Sequence, residues 1–167
     1  MLGVIGVGNV GKAVVRRARA FGIRVLGNDI VDIDTAFIRE TAVEMVDIET
    51  LLAVADFVTL HCDLNPGSHY LMTADRFAQM QPSAFIINTA RGPIIKEEDL
   101  VAALQSKTIA GAALDVFENE PLPENSPLMS MSNVMLAPHN SNSSPAAWEN
   151  VHQSTLKNLF GVLEGSQ

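Results

Sequence analysis

Short runs of aliphatic residues alternate with segments of helical spacing along most of the chain. The aliphatic runs predict seven buried strands, at residues 2–5, 23–26, 42–46, 57–60, 84–88, 109–114 and 134–137. The intervening segments predict helices or helical turns, at residues 10–21, 34–40, 48–53, 74–80, 96–107 and 143–163. Such alternation is typical of a parallel sheet covered by helices. We therefore predict a single α/β domain with a doubly wound, mostly parallel Rossmann sheet.

The first and last of these helices are clearly amphipathic. The first is predicted to end at Gly22 and to pack on the sheet through Val10, Ala13, Val14, Ala18 and Phe21. The last carries an apolar stripe of Trp148, Val151, Leu156, Leu159, Phe160 and Leu163.

Three glycines directly follow the first strand, where a helical pattern begins. Gly6, Gly8 and Gly11 have the spacing G-x-G-x-x-G. Binding of a dinucleotide needs one glycine for a sharp turn, one for close approach of backbone to a pyrophosphate, and one for close packing of helix and strand. The free N–H groups and positive dipole end of the helix then attract the phosphates. The stretch predicts a dinucleotide site.

An acidic residue stands where such a site needs one. Asp29 follows the second strand, 18 residues after Gly11. A carboxylate there binds adenosine ribose hydroxyls and repels a 2′-phosphate, so NAD is favoured over NADP. The alternative is that Asp29 is a solvated turn residue.

Composition narrows the class of protein. The chain has 167 residues and a formal net charge of −8, which argues against nucleic acid and anionic membrane surfaces as partners. Cys62 is its one cysteine, so no internal disulfide can form and a cytoplasmic location is expected. No apolar run reaches the ~18 residues of a membrane span. No metal-ligand spacing is visible, so no metal site is predicted.

Each later strand also ends in a polar or charged residue. These residues are Asp29, His61, Thr89 to Arg91, Asp115 and His139. In a doubly wound sheet the carboxyl ends of the strands border one crevice, so we expect these side chains to lie along it.

Four motifs in order carry a family resemblance. GVGNVG at residues 6–11, NTARG at 88–92, DVFENEP at 115–121 and APH at 137–139 resemble the dinucleotide-binding domain of the D-isomer-specific 2-hydroxyacid dehydrogenases. The resemblance extends from Leu2 to about Gly165. It implies NAD as cofactor and a small 2-hydroxy or 2-keto acid as substrate.

The resemblance also implies roles for individual residues. Arg91 matches the arginine that binds the substrate carboxylate, His139 the general acid/base, and Glu120 the carboxylate paired with that histidine. The implied cofactor contacts are Gly6, Gly8, Asn9, Val10, Gly11, Asp29, Cys62, Thr89, Ala90 and Asp115. The open alternatives are a surface ion pair for Arg91, a solvated Glu120, and a His139 satisfied by backbone groups.

Asp63 departs from the family pattern. It replaces the proline that usually follows the pair at 61–62. We therefore expect the loop beside the cofactor to be looser here.

Family members carry a second, substrate-binding lobe that precedes the nucleotide domain. This sequence begins at the first strand, so we expect a truncated gene product, a proteolytic fragment or one domain cut from a longer protein. Residues 1–167 are then a dinucleotide-binding domain, whose helix at 144–167 leads toward the absent lobe. We expect weakened NAD binding, little turnover, and a homodimer formed through the nucleotide-binding domain.

Two other functions remain open. The same family contains corepressors, so the domain could be a NAD-sensing scaffold. A glycine turn with an acidic second strand also suits methyl transfer from S-adenosylmethionine, although the Arg91, Glu120 and His139 set argues against it.

Overall fold

The computed structural model describes residues 1–141 and 143–165; Asn142, Ser166 and Gln167 lie outside the described residues. Seven parallel strands form one sheet in the order β3-β2-β1-β4-β5-β6-β7. The strands are β1 (Leu2–Ile5), β2 (Val25–Asn28), β3 (Glu44–Met45), β4 (Phe57–Leu60), β5 (Phe85–Asn88), β6 (Gly111–Leu114) and β7 (Val134–Leu136). The doubly wound α/β fold is confirmed.

Within the described residues, six α-helices connect or follow the strands. They are α1 (Asn9–Ala20), α2 (Thr35–Thr41), α3 (Ile48–Val54), α4 (Ala74–Phe77), α5 (Glu97–Gln105) and α6 (Pro145–Leu163). The side chains of Asp34, Asp47 and Ser144 cap α2, α3 and α6 by accepting hydrogen bonds from backbone N–H groups of the first turn.

The register brings the carboxyl ends of the strands to one edge. Ile5 pairs with Asn28 on one side and with Leu60 on the other. Leu60 then pairs with Asn88, which pairs with Leu114. The loops that follow these strands therefore leave the sheet side by side.

The core lies on both faces of the sheet. One cluster is built around Leu51, Phe77 and Ile86, and the other packs α1 and α2 on β1 and β2 through Val4, Val15, Val25 and Phe37.

The predicted buried face of α1 is partly wrong. Val10 is 60% exposed and Phe21 is 84% exposed, whereas Val15 and Ala18 are buried. The physical reason is position: Val10 lies at the open N-terminal end of the helix, and Phe21 lies past its last turn.

The apolar stripe of α6 lies outside the core. No described residue of α6 is buried, and Trp148, Leu159 and Phe160 are each about half exposed. Within residues 1–141 and 143–165, no helix is long and apolar enough to cross a membrane.

Candidate active site

The turn between β1 and α1 depends on two glycines for its shape. Gly6 has φ +90°, and a Cβ there would lie 2.5 Å from the backbone nitrogen of Cys62. A Cβ on Gly11 would lie 2.0 Å from the carbonyl oxygen of Gly6. Any side chain at either position would force the turn away from the strand or the helix.

Gly8 has a different environment. It caps α1, and a Cβ there would meet no protein atom within 4 Å. Asn9 and Val10, the first residues of the helix, are exposed as well. The N-terminal N–H groups of a 12-residue helix therefore face open space, as an incoming pyrophosphate requires.

Asp29 joins this turn to the end of β2. Its carboxylate accepts hydrogen bonds from the backbone N–H of Val7, at 2.6 Å, and of Val31, at 3.2 Å. The same side chain lines a cavity of about 330 Å³, together with Gly6, Gly8 and Cys62. Asp29 is therefore held in place at the wall of the crevice.

A second cavity, of about 430 Å³, continues from the first. Val10, Thr89, Ala90 and Arg91 line it, and His61, Cys62 and Asp63 line both cavities. Burial lowers the pKa of His61 and raises that of the Cys62 thiol, so both groups are neutral near pH 7.

Asn88 fixes the loop that carries Arg91. This side chain is 1% exposed, donates to the carbonyl oxygen of Arg91 at 2.9 Å, and accepts from the N–H of Ala90 at 3.0 Å. The guanidinium of Arg91 is exposed and donates to the carbonyl oxygen of Ala90 at 2.6 Å.

The arginine loop lies directly against the loop that follows β6. A Cβ on Gly92 would lie 1.8 Å from the carbonyl oxygen of Phe117. Nearby, Glu97 and Glu118 each accept a hydrogen bond from the backbone N–H of the other, at 3.2 and 3.1 Å. The loops carrying Arg91 and Glu120 are therefore packed backbone to backbone.

His139 and Glu120 form a hydrogen-bonded pair. Nδ1 of His139 lies 2.7 Å from one carboxylate oxygen of Glu120, and the other accepts from the N–H of Phe117 at 3.0 Å. The hydrogen bond from His139, and then that from Phe117, lowers the pKa of Glu120. Because the ionised carboxylate of Glu120 binds Nδ1, Nε2 is the ring nitrogen of His139 that remains to face a substrate.

Asp115 holds the loop that begins at His139. Its two carboxylate oxygens accept from the backbone N–H of Asn140 and of Ser141, each at 2.9 Å. Burial acts to raise the pKa of Asp115, but the hydrogen bonds from Ser141 and Asn140 outweigh it and lower the pKa. These contacts stabilise His139 in its left-handed backbone conformation, with φ +54°.

The predicted residues thus fall into three neighbouring groups. The turn glycines with Asp29 form one, and Cys62, Thr89, Ala90 and Arg91 form the second. Glu120 and His139 form the third, beside a mainly apolar cavity of about 350 Å³ that Arg91 does not line.

Some positioning residues escaped the sequence reasoning. The sequence indicates Asn88 and Gly92 only as the first and last letters of the NTARG motif. A buried polar residue at a strand end could have indicated Asn88, whereas the contact at Gly92 depends on a distant loop that sequence does not reveal.

No group of three or more His, Cys, Asp or Glu side chains within the described part of the chain could hold a metal ion. Together, the strand order, the glycine turn and the acid after β2 define a dinucleotide-binding domain.

Comparison with known families identifies the kind of domain. Residues 1–141 match the family described as D-isomer specific 2-hydroxyacid dehydrogenase, NAD binding domain. The chain belongs to this family, and it contains its NAD-binding domain.

Individual relatives agree with this assignment. A glyoxylate reductase of Thermofilum pendens is 40% identical over an alignment of 167 positions, which covers 98% of this chain and 48% of that protein. The crystal structure of a glyoxylate reductase from Paecilomyes thermophila superimposes with a TM-score of 0.90 at 33% identity, covering 98% of this chain and 49% of that one.

A D-isomer specific 2-hydroxyacid dehydrogenase from Lactobacillus delbrueckii ssp. bulgaricus, solved in an NAD complexed form, gives a TM-score of 0.88 at 29% identity. The match covers 99% of this chain and 53% of that one. The chain spans about half the length of the relatives it matches.

Proposed function

We propose that this chain is the cofactor-binding half of an NAD-dependent oxidoreductase that interconverts a small 2-keto acid and the D-2-hydroxy acid. The observation that carries the proposal is the His139–Glu120 pair, 2.7 Å apart, at the sheet edge that also carries the glycine turn. Relatives named glyoxylate reductase and glyoxylate/hydroxypyruvate reductase favour a two- or three-carbon keto acid.

His139 is proposed to move the proton. In reduction its Nε2 gives a proton to the keto oxygen, and in oxidation it takes the proton back. Glu120 orients the ring through Nδ1, which leaves Nε2 to exchange the proton with the substrate. When bound, NAD supplies or accepts the hydride.

Arg91 is proposed to bind the substrate carboxylate. Its planar guanidinium can hold a carboxylate through two parallel hydrogen bonds. The side chain is exposed and, among the described residues, donates to the neighbouring carbonyl oxygen of Ala90, a contact that a charged carboxylate can replace.

The cofactor is proposed to extend along the crevice from Asp29 to the arginine loop. Asp29 takes the adenosine ribose, and the backbone of Gly8, Asn9 and Val10 takes the pyrophosphate. Cys62, Thr89 and Ala90 line the path toward the nicotinamide. Gly6 and Gly11 shape the turn, while Asp115 contributes by holding the loop after His139.

The chain by itself is expected to bind NADH weakly and to turn over little. Catalysis needs a substrate held in place and shielded from water, and one wall of a cleft provides little of either. In this proposal α6 leads toward a second lobe that closes the crevice.

Titration with NADH, followed by nicotinamide fluorescence, tests the proposal. We expect a saturable signal in the chain and in a His139→Gln variant, because His139 serves the proton and not the cofactor. The same substitution is then made in a protein that joins this domain to a substrate-binding lobe. Loss of turnover there assigns the proton step to His139. The absence of saturation at millimolar NADH in the unmodified chain would contradict the cofactor assignment.

A homodimer formed through this domain, in a cytoplasmic setting, is part of the proposal. The apolar stripe of α6 and the stacked, exposed rings of Phe57 and Phe85 are surfaces that a second copy could cover. Sedimentation of the chain and of a Leu159→Gln variant tests this. A monomer at all concentrations, or a dimer unaffected by the substitution, would contradict a role for α6.

The two other functions are less well supported. The relatives described above are named as reductases and dehydrogenases, which does not favour a corepressor-like scaffold. Membership of a dehydrogenase family also argues against methyl transfer from S-adenosylmethionine.

A further inference from the structure

The end of the crevice beside Asp29 carries a second carboxylate. Asp29, after β2, and Asp63, after β4, line the same cavity of about 330 Å³. Cys62 lines the same cavity. Burial is the largest cause that raises the pKa of its thiol, and the charges of Asp63 and Asp29 raise it further. The two carboxylates therefore act on one shared space.

Asp63 is held firmly in the loop that presents it. The hydroxyl of Ser68, which is 6% exposed, donates to the carbonyl oxygen of Asp63 at 2.5 Å. The amide of Asn65 donates to the same oxygen at 3.3 Å and accepts from the N–H of Gly67 at 2.8 Å. These hydrogen bonds connect the backbone of Asp63 to the turn that follows it, and the looser loop expected from the missing proline stays a prediction.

The charges around this cavity all have one sign. No lysine or arginine is among its described lining residues, and His61 is neutral because burial lowers its pKa. On the far side of Asp29, Asp32 and Asp47 line an adjoining cavity that Asp29 also borders. A group bound next to Asp29 therefore meets negative charge from the β2 and β4 sides.

We propose that Asp63 is a second specificity residue that acts with Asp29 to exclude a 2′-phosphate and so restricts the domain to NAD. The inference rests on the proposed placement of the adenosine ribose beside Asp29. A 2′-phosphate carries about two negative charges near pH 7. Two carboxylates that border one cavity add their repulsion on that group, whereas the unphosphorylated ribose is not repelled.

NADH and NADPH differ only in the 2′-phosphate, so their dissociation constants isolate this effect. We expect Asp63→Asn to tighten NADPH binding about fivefold and to change NADH binding by less than about twofold. Asp63→Glu, which keeps the charge, should retain most of the discrimination. Glu164→Gln, at the residue directly after α6, removes the same formal charge outside the lining of the crevice and should change neither constant.

Salt provides a second, independent readout. Raising the ionic strength from about 0.05 M to about 0.5 M should reduce the NADH preference of the unmodified chain more than that of Asp63→Asn. Circular dichroism confirms that each variant is folded.

An unchanged ratio of the two constants in Asp63→Asn overturns the inference, and so does an equal change in Glu164→Gln. If the chain binds NADH but Asp63→Asn leaves the ratio of the two dissociation constants unchanged, the proposed function still stands. A chain that binds neither nucleotide overturns both.

Discussion

The two ends of the crevice hold their functional groups by opposite means. At the glycine turn, position is set by missing side chains, since Gly6 and Gly11 bring backbone against backbone. At the other end it is set by buried polar side chains, since Asn88 and Asp115 bind the loops of Arg91 and His139. The first end is therefore sensitive to added atoms, and the second to lost hydrogen bonds.

The largest effect is expected from Gly11→Ala. The new Cβ would lie 2.0 Å from the carbonyl oxygen of Gly6, a backbone atom that cannot rotate away. We expect destabilisation of about 3 kcal/mol, even though alanine is the better helix former by about 1 kcal/mol. Urea unfolding of the two proteins measures the difference.

Gly8→Ala is the matched control for this substitution. Its Cβ meets no protein atom, and its φ of −73° suits any residue, so the free energy of unfolding should stay within about 0.5 kcal/mol. NADH should nevertheless bind about tenfold more weakly, because the methyl group occupies the space of the pyrophosphate. Equal stability losses in both variants would refute the steric account of the turn.

At the end that carries Glu120 and His139, Asp115→Asn should cost about 2 kcal/mol of unfolding free energy, because an amide can accept from only one of the two backbone N–H groups without placing NH₂ against the other. Denaturant unfolding at pH 7 measures the loss, and a loss below the error of that measurement would contradict it.

The same contacts predict how stability changes with acid. The folded-state pKa values of Asp115 and Glu120 are lowered, so their stabilisation is complete above the ordinary carboxyl pKa and is lost as the pH falls through the lowered values. Unfolding free energy should therefore decline below about pH 4. The decline should be shallower in Asp115→Asn, and identical slopes would show that other carboxyls dominate.

The smallest effect is expected from Asn88→Ala. It removes two hydrogen bonds, but Arg91 is exposed and Ala90 is only half-buried, so water can replace the lost partner. We expect a cost of about 1 kcal/mol, measured by denaturant unfolding. A cost greater than that of Asp115→Asn would reverse the order of importance proposed for the two loops.

Sequence alone predicted the sheet and the crevice because those depend on local signals. β1 and β4 have the predicted bounds, and the other strands and helices differ mainly at their ends. Gly6, Gly8, Gly11 and Asp29 could be placed because their spacing is dictated by one turn and one strand.

What sequence could not predict depends on contacts between distant segments. Helical periodicity cannot distinguish a core residue from one that lines an open cavity, because both have the same spacing. Val10 therefore looked like a core residue but lines the second cavity. Periodicity also cannot reveal that Asp115 binds backbone 25 residues further on. The roles of Arg91, Glu120 and His139 were predicted from a family resemblance and stay predictions.

The close approach at Gly92 has a mechanical consequence. Because there is no room for even one methyl group between this residue and the Phe117 carbonyl, neither loop can slide without displacing the other. A carboxylate that pulls Arg91 toward itself would therefore transmit strain to the segment that ends in Glu120. Anion capture and proton delivery would be coupled by direct contact of two backbones.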